Sequence, residues 1–183
     1  MKILFINACV RRESRTLVLA RDILSRMEGE ITELELIKEK ITPLDREALA
    51  KREELIGAGR LDDPSFKYAR QFAEADEIVI AAPYWDLGFP ALLKIYIERV
   101  CATGITFEYR SGRPFGLCRA KKLTYVTTSG GEIFADFGYS YIKTVANAFF
   151  GIKETKAYRA MNLDVLGISA DRVLAEASIS VIE

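Results

Sequence analysis

The sequence predicts an α/β fold, an open five-stranded parallel sheet with helices on both faces. Three observations carry that prediction. Strand-like and helix-like segments alternate along the whole chain. The strand-like segments at residues 2–8 and 76–83, "KILFINA" and "DEIVIAAP", are continuously apolar, as in strands buried on both sides. The chain has 183 residues, half of them hydrophobic and 28% charged, which suits one domain spanning residues 1–183 with a single sizeable core.

The elements follow in order. "KILFINA" is the first strand, and "TLVLARDILSRM" (16–27) places apolar residues at helical spacing. "EITELELI" (30–37) alternates as a half-buried strand does. Residues 38–62 are charged and irregular, with a short helix in "REALAKREELIGAG". Asp63 followed by Pro64 is an N-cap with proline at the first helical position, opening a helix through "SFKYARQFAEA". "DEIVIAAP" is the third strand, and Pro90 suits the first turn of "ALLKIYIERVCAT". Residues 104–122, rich in aromatics and glycine, read as an excursion without regular structure. Then come a strand at 122–129, a helix at 139–151 stopped by glycine, a fifth strand at 154–162 and a last helix at 169–182.

Composition excludes several function classes. Lys plus Arg and Asp plus Glu both number 26, so no charge excess favours nucleic acid or an anionic membrane. No apolar run reaches the ~18 residues of a membrane span, and the N-terminus lacks a secretory pattern, so a cytoplasmic protein is expected. Cys9, Cys101 and Cys118 are widely spaced with no CxxC, so neither a disulfide framework nor a metal site is expected. The chain contains no histidine, which removes Ser-His-Asp and Cys-His catalysis together. Chemistry must come from a cofactor or from carboxylates, tyrosines and lysines.

In an open parallel sheet, ligands bind beyond the carboxyl ends of the strands at the switch in strand order. The loop after strand one, "NACVRRESRTL", has no glycine, which excludes a dinucleotide fingerprint and a Walker A loop. Ser14, Arg15 and Thr16 open a helix there behind Arg11 and Arg12. That is either a monophosphate site made of hydroxyls, helix N–H groups and arginine, or an ordinary cap with solvated arginines. After strand three, Tyr84, Trp85, Asp86 and Leu87 stand between Pro83 and Gly88. They form either a wall for a flat aromatic ring or a filler at the sheet edge. After strand four, Thr128, Ser129, Gly130 and Gly131 form either a close approach to a ligand or a plain turn. Taken jointly, the three loops indicate a planar, monophosphorylated ligand, FMN.

Residues 81–117, "AAPYWDLGFPALLKIYIERVCATGITFEYRSGRPFGL", followed by "VTTSGG", closely resemble the flavodoxin-like FMN-dependent NADH-azoreductases and NAD(P)H:quinone oxidoreductases. The resemblance runs over nearly the whole chain and implies strand order 2-1-3-4-5. It implies that Ser14, Arg15 and Thr16 hold the FMN phosphate and that Tyr84, Trp85, Asp86 and Leu87 line the isoalloxazine. Thr128, Ser129, Gly130 and Gly131 would contact its pyrimidine end. It further implies NAD(P)H as co-substrate, a quinone, azo compound or similar small acceptor, and a homodimer with active sites at the interface. The aromatic segment with Phe107, Tyr109 and Phe115 would then help cover the partner's flavin. Two departures stand out: the family's asparagine is Asp86 here, and no histidine follows the double glycine. Asp86 and Tyr84 are the candidate catalytic side chains beside the flavin. The alternative is an FMN-binding electron carrier of the same fold that turns over no small substrate.

Overall fold

The computed structural model describes residues 1–182. The central sheet contains β1 (Lys2–Asn7), β2 (Glu30–Glu35) and β3 (Glu77–Ala81). Two short strands follow, β4 (Phe107–Arg110) and β5 (Arg113–Gly116), and then β6 (Lys122–Thr128) and β7 (Glu154–Ala160). The sheet order is β2-β1-β3-β6-β7, every neighbour parallel. With β6 and β7 as its fourth and fifth strands, this is the expected 2-1-3-4-5. The order switches between β1 and β3, where Asn7 pairs with Ala81, and Ala81 pairs with Val126 of β6.

The alternation of side chains in each strand divides the core into two layers. Ile3, Phe5, Val79, Val126 and Tyr158 pack beneath α1 (Arg15–Leu24) and α7 (Ala170–Ala177). Leu4, Ile6, Ile78, Ile80 and Tyr125 face the other way. They pack beneath α4 (Lys67–Glu74), α5 (Ala91–Val100) and α6 (Tyr139–Val145). Because both faces are covered, β1 and β3 need the near-continuous apolar runs seen in the sequence.

Several elements differ in detail from the sequence reading. β2 ends at Glu35, and Leu36 turns inward to open the single turn α2 (Leu36–Glu39). The charged segment contains α3 (Arg46–Gly57), capped by the Asp45 carboxylate, which accepts from Ala48 N–H at 2.8 Å. Asp63 caps a 3-10 turn at Pro64–Phe66 rather than the α-helix itself, which begins at Lys67. Pro90 is the N-cap of α5, one residue before its first turn. The excursion at 104–122 contains the antiparallel hairpin β4–β5, turned by Ser111 (φ 50°) and Gly112 (φ 75°). α6 continues as a π turn at Ala146–Phe150 and stops at Gly151 (φ 75°). Phe107 is buried, edge-on to Phe149 at 5.0 Å, so its cover comes from its own chain. Among the described residues, no helix is long and apolar enough to cross a membrane.

Candidate functional site

A cleft of about 710 Å³ opens beyond the carboxyl ends of β1, β3 and β6, at the switch in strand order. Ser14, Arg15, Thr16, Tyr84 and Trp85 line it, joined by Thr128, Ser129 and Gly130. Eight of the eleven residues singled out in the sequence therefore meet around one volume. Asp86, Leu87 and Gly131 lie outside its lining.

Ser14 is the N-cap of α1, its hydroxyl oxygen accepting from Leu17 N–H at 3.3 Å. The cap reading is therefore correct for its lone pair, while the hydroxyl also faces the Cys9 thiol and lowers its pKa. Thr16, one position into the helix, is buried and shares a hydrogen bond with the Thr128 hydroxyl at 2.7 Å. That bond ties the start of α1 to the end of β6. The first-turn amides of α1 have no intrahelical acceptor, and this end of the helix carries partial positive charge. Arg15 reaches across the cleft and donates to the carbonyl of Leu163 at 3.0 Å and to the Asp164 carboxylate at 2.6 Å.

The aromatic connection after β3 is a tight turn. Trp85 N–H donates to Gly88 O at 3.3 Å and Gly88 N–H donates to Trp85 O at 2.8 Å. Asp86 (φ 49°) and Leu87 (φ 67°) occupy its two central positions, both left-handed. Tyr84 is anchored at both ends: its N–H donates to Thr128 O at 2.9 Å and its hydroxyl to Ala135 O at 2.7 Å. The phenol proton is thus committed to a carbonyl. The Arg11 guanidinium lies 6.0 Å from the centre of the Trp85 ring, at the outer reach of a cation–π contact. Asp86 is exposed.

In the loop after β6, the Ser129 hydroxyl donates to Gly131 O at 2.5 Å and its N–H to Ala160 O at 2.9 Å. A Cβ built on Gly130 would overlap the Asp164 carboxylate, whereas one on Gly131 would meet nothing within 4 Å. The open face of Gly130 therefore takes a side chain of this chain. Leu163 and Asp164, in the loop after β7, were not among the residues identified from sequence. Their signal was an acid just past the fifth strand, outside the three loops that carry the other candidate residues.

Four arginines (Arg11, Arg12, Arg15 and Arg21) line the cleft against two acids, Glu13 and Asp164, although the chain's formal charge is zero. Arg21 also pairs with Glu33 at 3.2 Å. The arrangement favours an anion together with an aromatic surface. The thiols are poor nucleophiles. Burial raises Cys9 to about 11, with Ser14 opposing and Glu33 reinforcing the shift. Burial likewise raises Cys101 to about 11 and Cys118 to about 12.

A family described as having the flavodoxin-like fold matches residues 1–182. The FMN-dependent NADH:quinone oxidoreductase 2 of Clostridium acetobutylicum is 38% identical over 187 residues, covering 94% of this chain and 92% of that protein. An FMN-dependent NADH:quinone oxidoreductase of Clostridium perfringens is 37% identical over 190 residues, covering 96% and 93%. Among solved structures, an azoreductase from Bacillus anthracis superposes with a TM-score of 0.83 at 23% identity, covering 97% of this chain and 95% of that one. An FMN-dependent NADH-azoreductase of the same species, in complex with FMN, gives 0.78 at 23% identity over 97% and 94%. At that identity the structural likeness speaks to the fold.

Proposed function

The chain belongs to the flavodoxin-like family, and on that premise we propose that it is an FMN-dependent NADH:quinone oxidoreductase. The observation that carries the proposal is the meeting of three loops at one cleft: a hydroxyl-rich helix start, an aromatic turn and a glycine-bearing turn. The residues fit FMN chemically. Hydroxyl donors, helix amides and arginine suit a phosphate, and the Trp85 indole suits a flat ring. A cleft of about 710 Å³ is in the range that holds a small cofactor.

In this reading Ser14, Arg15 and Thr16 hold the phosphate. Tyr84 and Trp85 line the ring, with Asp86 and Leu87 beside it in the same turn just beyond the cleft lining. Thr128, Ser129 and Gly130 meet its pyrimidine edge, with Gly131 next to them outside the lining. When bound, FMN would supply the redox chemistry between NAD(P)H and a quinone, azo compound or similar small acceptor. The protein positions both substrates and sets the local field. Because the chain has no histidine and the Tyr84 hydroxyl donates to Ala135, the acceptor's protons would come from water or from another hydroxyl. Residues 1–183 act as one domain in the cytoplasm, and the working form is a homodimer with the cleft at its interface. Tyr109, Phe134 and Phe137 are 60%, 78% and 64% exposed, which supports a covering partner.

The test is spectroscopic. Purified protein mixed with FMN should show bound-flavin bands that bleach rapidly with NADH and recover on adding menadione, and it should sediment as a dimer. A protein that refuses FMN overturns the cofactor. Bound flavin that NADH leaves oxidised leaves only the electron carrier.

A further inference from the structure

Arg15 and Gly130 are two points at which the cleft would meet a phosphorylated cofactor under the function proposed above, and one carboxylate already touches both. Asp164 Oδ1 accepts from Arg15 Nη1 at 2.6 Å, and Oδ2 fills the space beside Gly130 that a Cβ would need. The backbone beneath it is fixed by three bonds to the neighbouring loop. Asn162 N–H donates to Gly131 O at 3.2 Å, Leu163 N–H to Ser129 O at 3.2 Å and Asp164 N–H to Gly130 O at 3.0 Å. The acid is therefore delivered to the cleft by main-chain structure, with only its side-chain torsions left free. Its side chain is 66% exposed and Arg15's is 47% exposed. An ion pair this open is weak and can be released at small cost.

We propose that Asp164 is a tethered competitor for the anion subsite, a specificity-determining residue that occupies the Arg15 guanidinium until a phosphate displaces it. The inference rests on the FMN reading above. Its physical content is that one guanidinium cannot neutralise a carboxylate and a phosphate dianion together. A free monoanion in solution must displace an acid that is already in place. A phosphate attached to a ring that binds elsewhere in the cleft has the additional binding to do so. Asp164 thereby weakens every anion at this subsite and excludes those without a second anchor.

The experiment compares FMN, riboflavin and inorganic phosphate on the full-length protein and on Asp164→Asn, reading flavin fluorescence and competition by phosphate. Asp164→Asn should bind FMN about three- to tenfold more tightly, the scale of an exposed pair plus relief of like charge. Riboflavin affinity should stay within about twofold, inorganic phosphate should compete better, and high salt should shrink the gain. In an Arg15→Gln background only the like-charge part of the gain should remain, so the gain should shrink. FMN affinity that is unchanged or weaker in Asp164→Asn overturns the proposal, as does a full gain without Arg15. Failure of the unaltered protein to bind FMN would instead overturn the cofactor assignment.

Discussion

Replacing Ser14 and Thr16 together by alanine tests the anion subsite most directly. Three hydroxyls surround the start of α1: Ser14, Thr16 and Thr128. Ser14 uses its oxygen to accept from Leu17 N–H and would donate to a ligand by turning its proton away from the Cys9 thiol. Thr16 and Thr128 share one proton across 2.7 Å, so that pair has one more to offer. The site thus presents two hydroxyl donors to a phosphate. After the double substitution the Thr128 proton is released from its partner and can turn toward the ligand. The net loss is then one donor if it turns and two if it does not. A hydrogen bond to a charged group is worth about 1.5–3 kcal/mol, so the loss lies between about 1.5 and 6 kcal/mol. FMN affinity should fall at least tenfold, by calorimetric titration, while riboflavin affinity stays nearly constant. Removing the cap also costs about 0.5–2 kcal/mol of stability, so urea unfolding of the variant is measured alongside. Equal losses for FMN and riboflavin would refute the phosphate assignment and leave these hydroxyls a purely structural role.

Other perturbations reach different parts of the molecule. Burial raises the carboxyl of Glu77, the first residue of β3; Lys156 and Lys122 oppose the shift and Glu154 adds to it. The folded state holds this proton more tightly than the unfolded chain, so ionisation opposes folding as pH rises through and above the ordinary carboxylate range. Glu77→Gln should raise the thermal midpoint at pH 7 and change it little at pH 3.5; equal shifts at both would contradict this. With Cys9 and Cys101 raised to about 11 and Cys118 to about 12, a thiol reagent at pH 8 should label the native protein slowly. All three cysteines should react quickly once the protein is unfolded; rapid labelling of the native form would show that burial does not protect them. Asp86→Asn removes an exposed charge beside the proposed ring, worth about 1 kcal/mol at 4 Å in water. It should keep FMN bound and raise the two-electron midpoint by about 20 mV, and a fall in potentiometric titration would contradict its placement.

The sheet was legible because burial on both faces demands apolar strands, and "DEIVIAAP" is a short, β-branched apolar run closed by a proline. The hairpin at Phe107–Gly116 was missed although Ser111-Gly112 is a turn signal, because four-residue strands give too short an alternation to register. Of the site, the three loops were legible because each follows a sheet strand in sequence. Asp164 was not, since its place opposite Arg15 depends on β7 lying at the sheet's edge and sending its exit loop back over Gly130. Such a long-range pairing has no local pattern. The same limit explains the Thr16–Thr128 bond, which joins residues 112 positions apart.

The chain's only tryptophan sits in a connection that local rules do not favour. A two-residue turn with both central residues left-handed calls for Asn-Gly or Asp-Gly. Asp86 suits the first position, but Leu87 at φ 67° does not suit the second, and that backbone costs a leucine about 1–2 kcal/mol. Strain of this kind persists only where the surroundings over-determine it. Here they do. Trp85 and Gly88 close the turn on itself, and Phe137 N–H donates to Leu87 O at 3.3 Å. Tyr84, just before it, is tied to Thr128 through its backbone and to Ala135 through its hydroxyl. The turn is thus held from β6 and from the loop before α6, so its amides and the Trp85 indole keep one position at the rim of the cleft. A glycine at position 87 would relieve the strain, but its wider backbone freedom would weaken that fixed presentation. Fixed amides and a fixed aromatic face are what a planar ligand with polar edges requires, and under the proposed function they would account for a strained turn at this place in the chain.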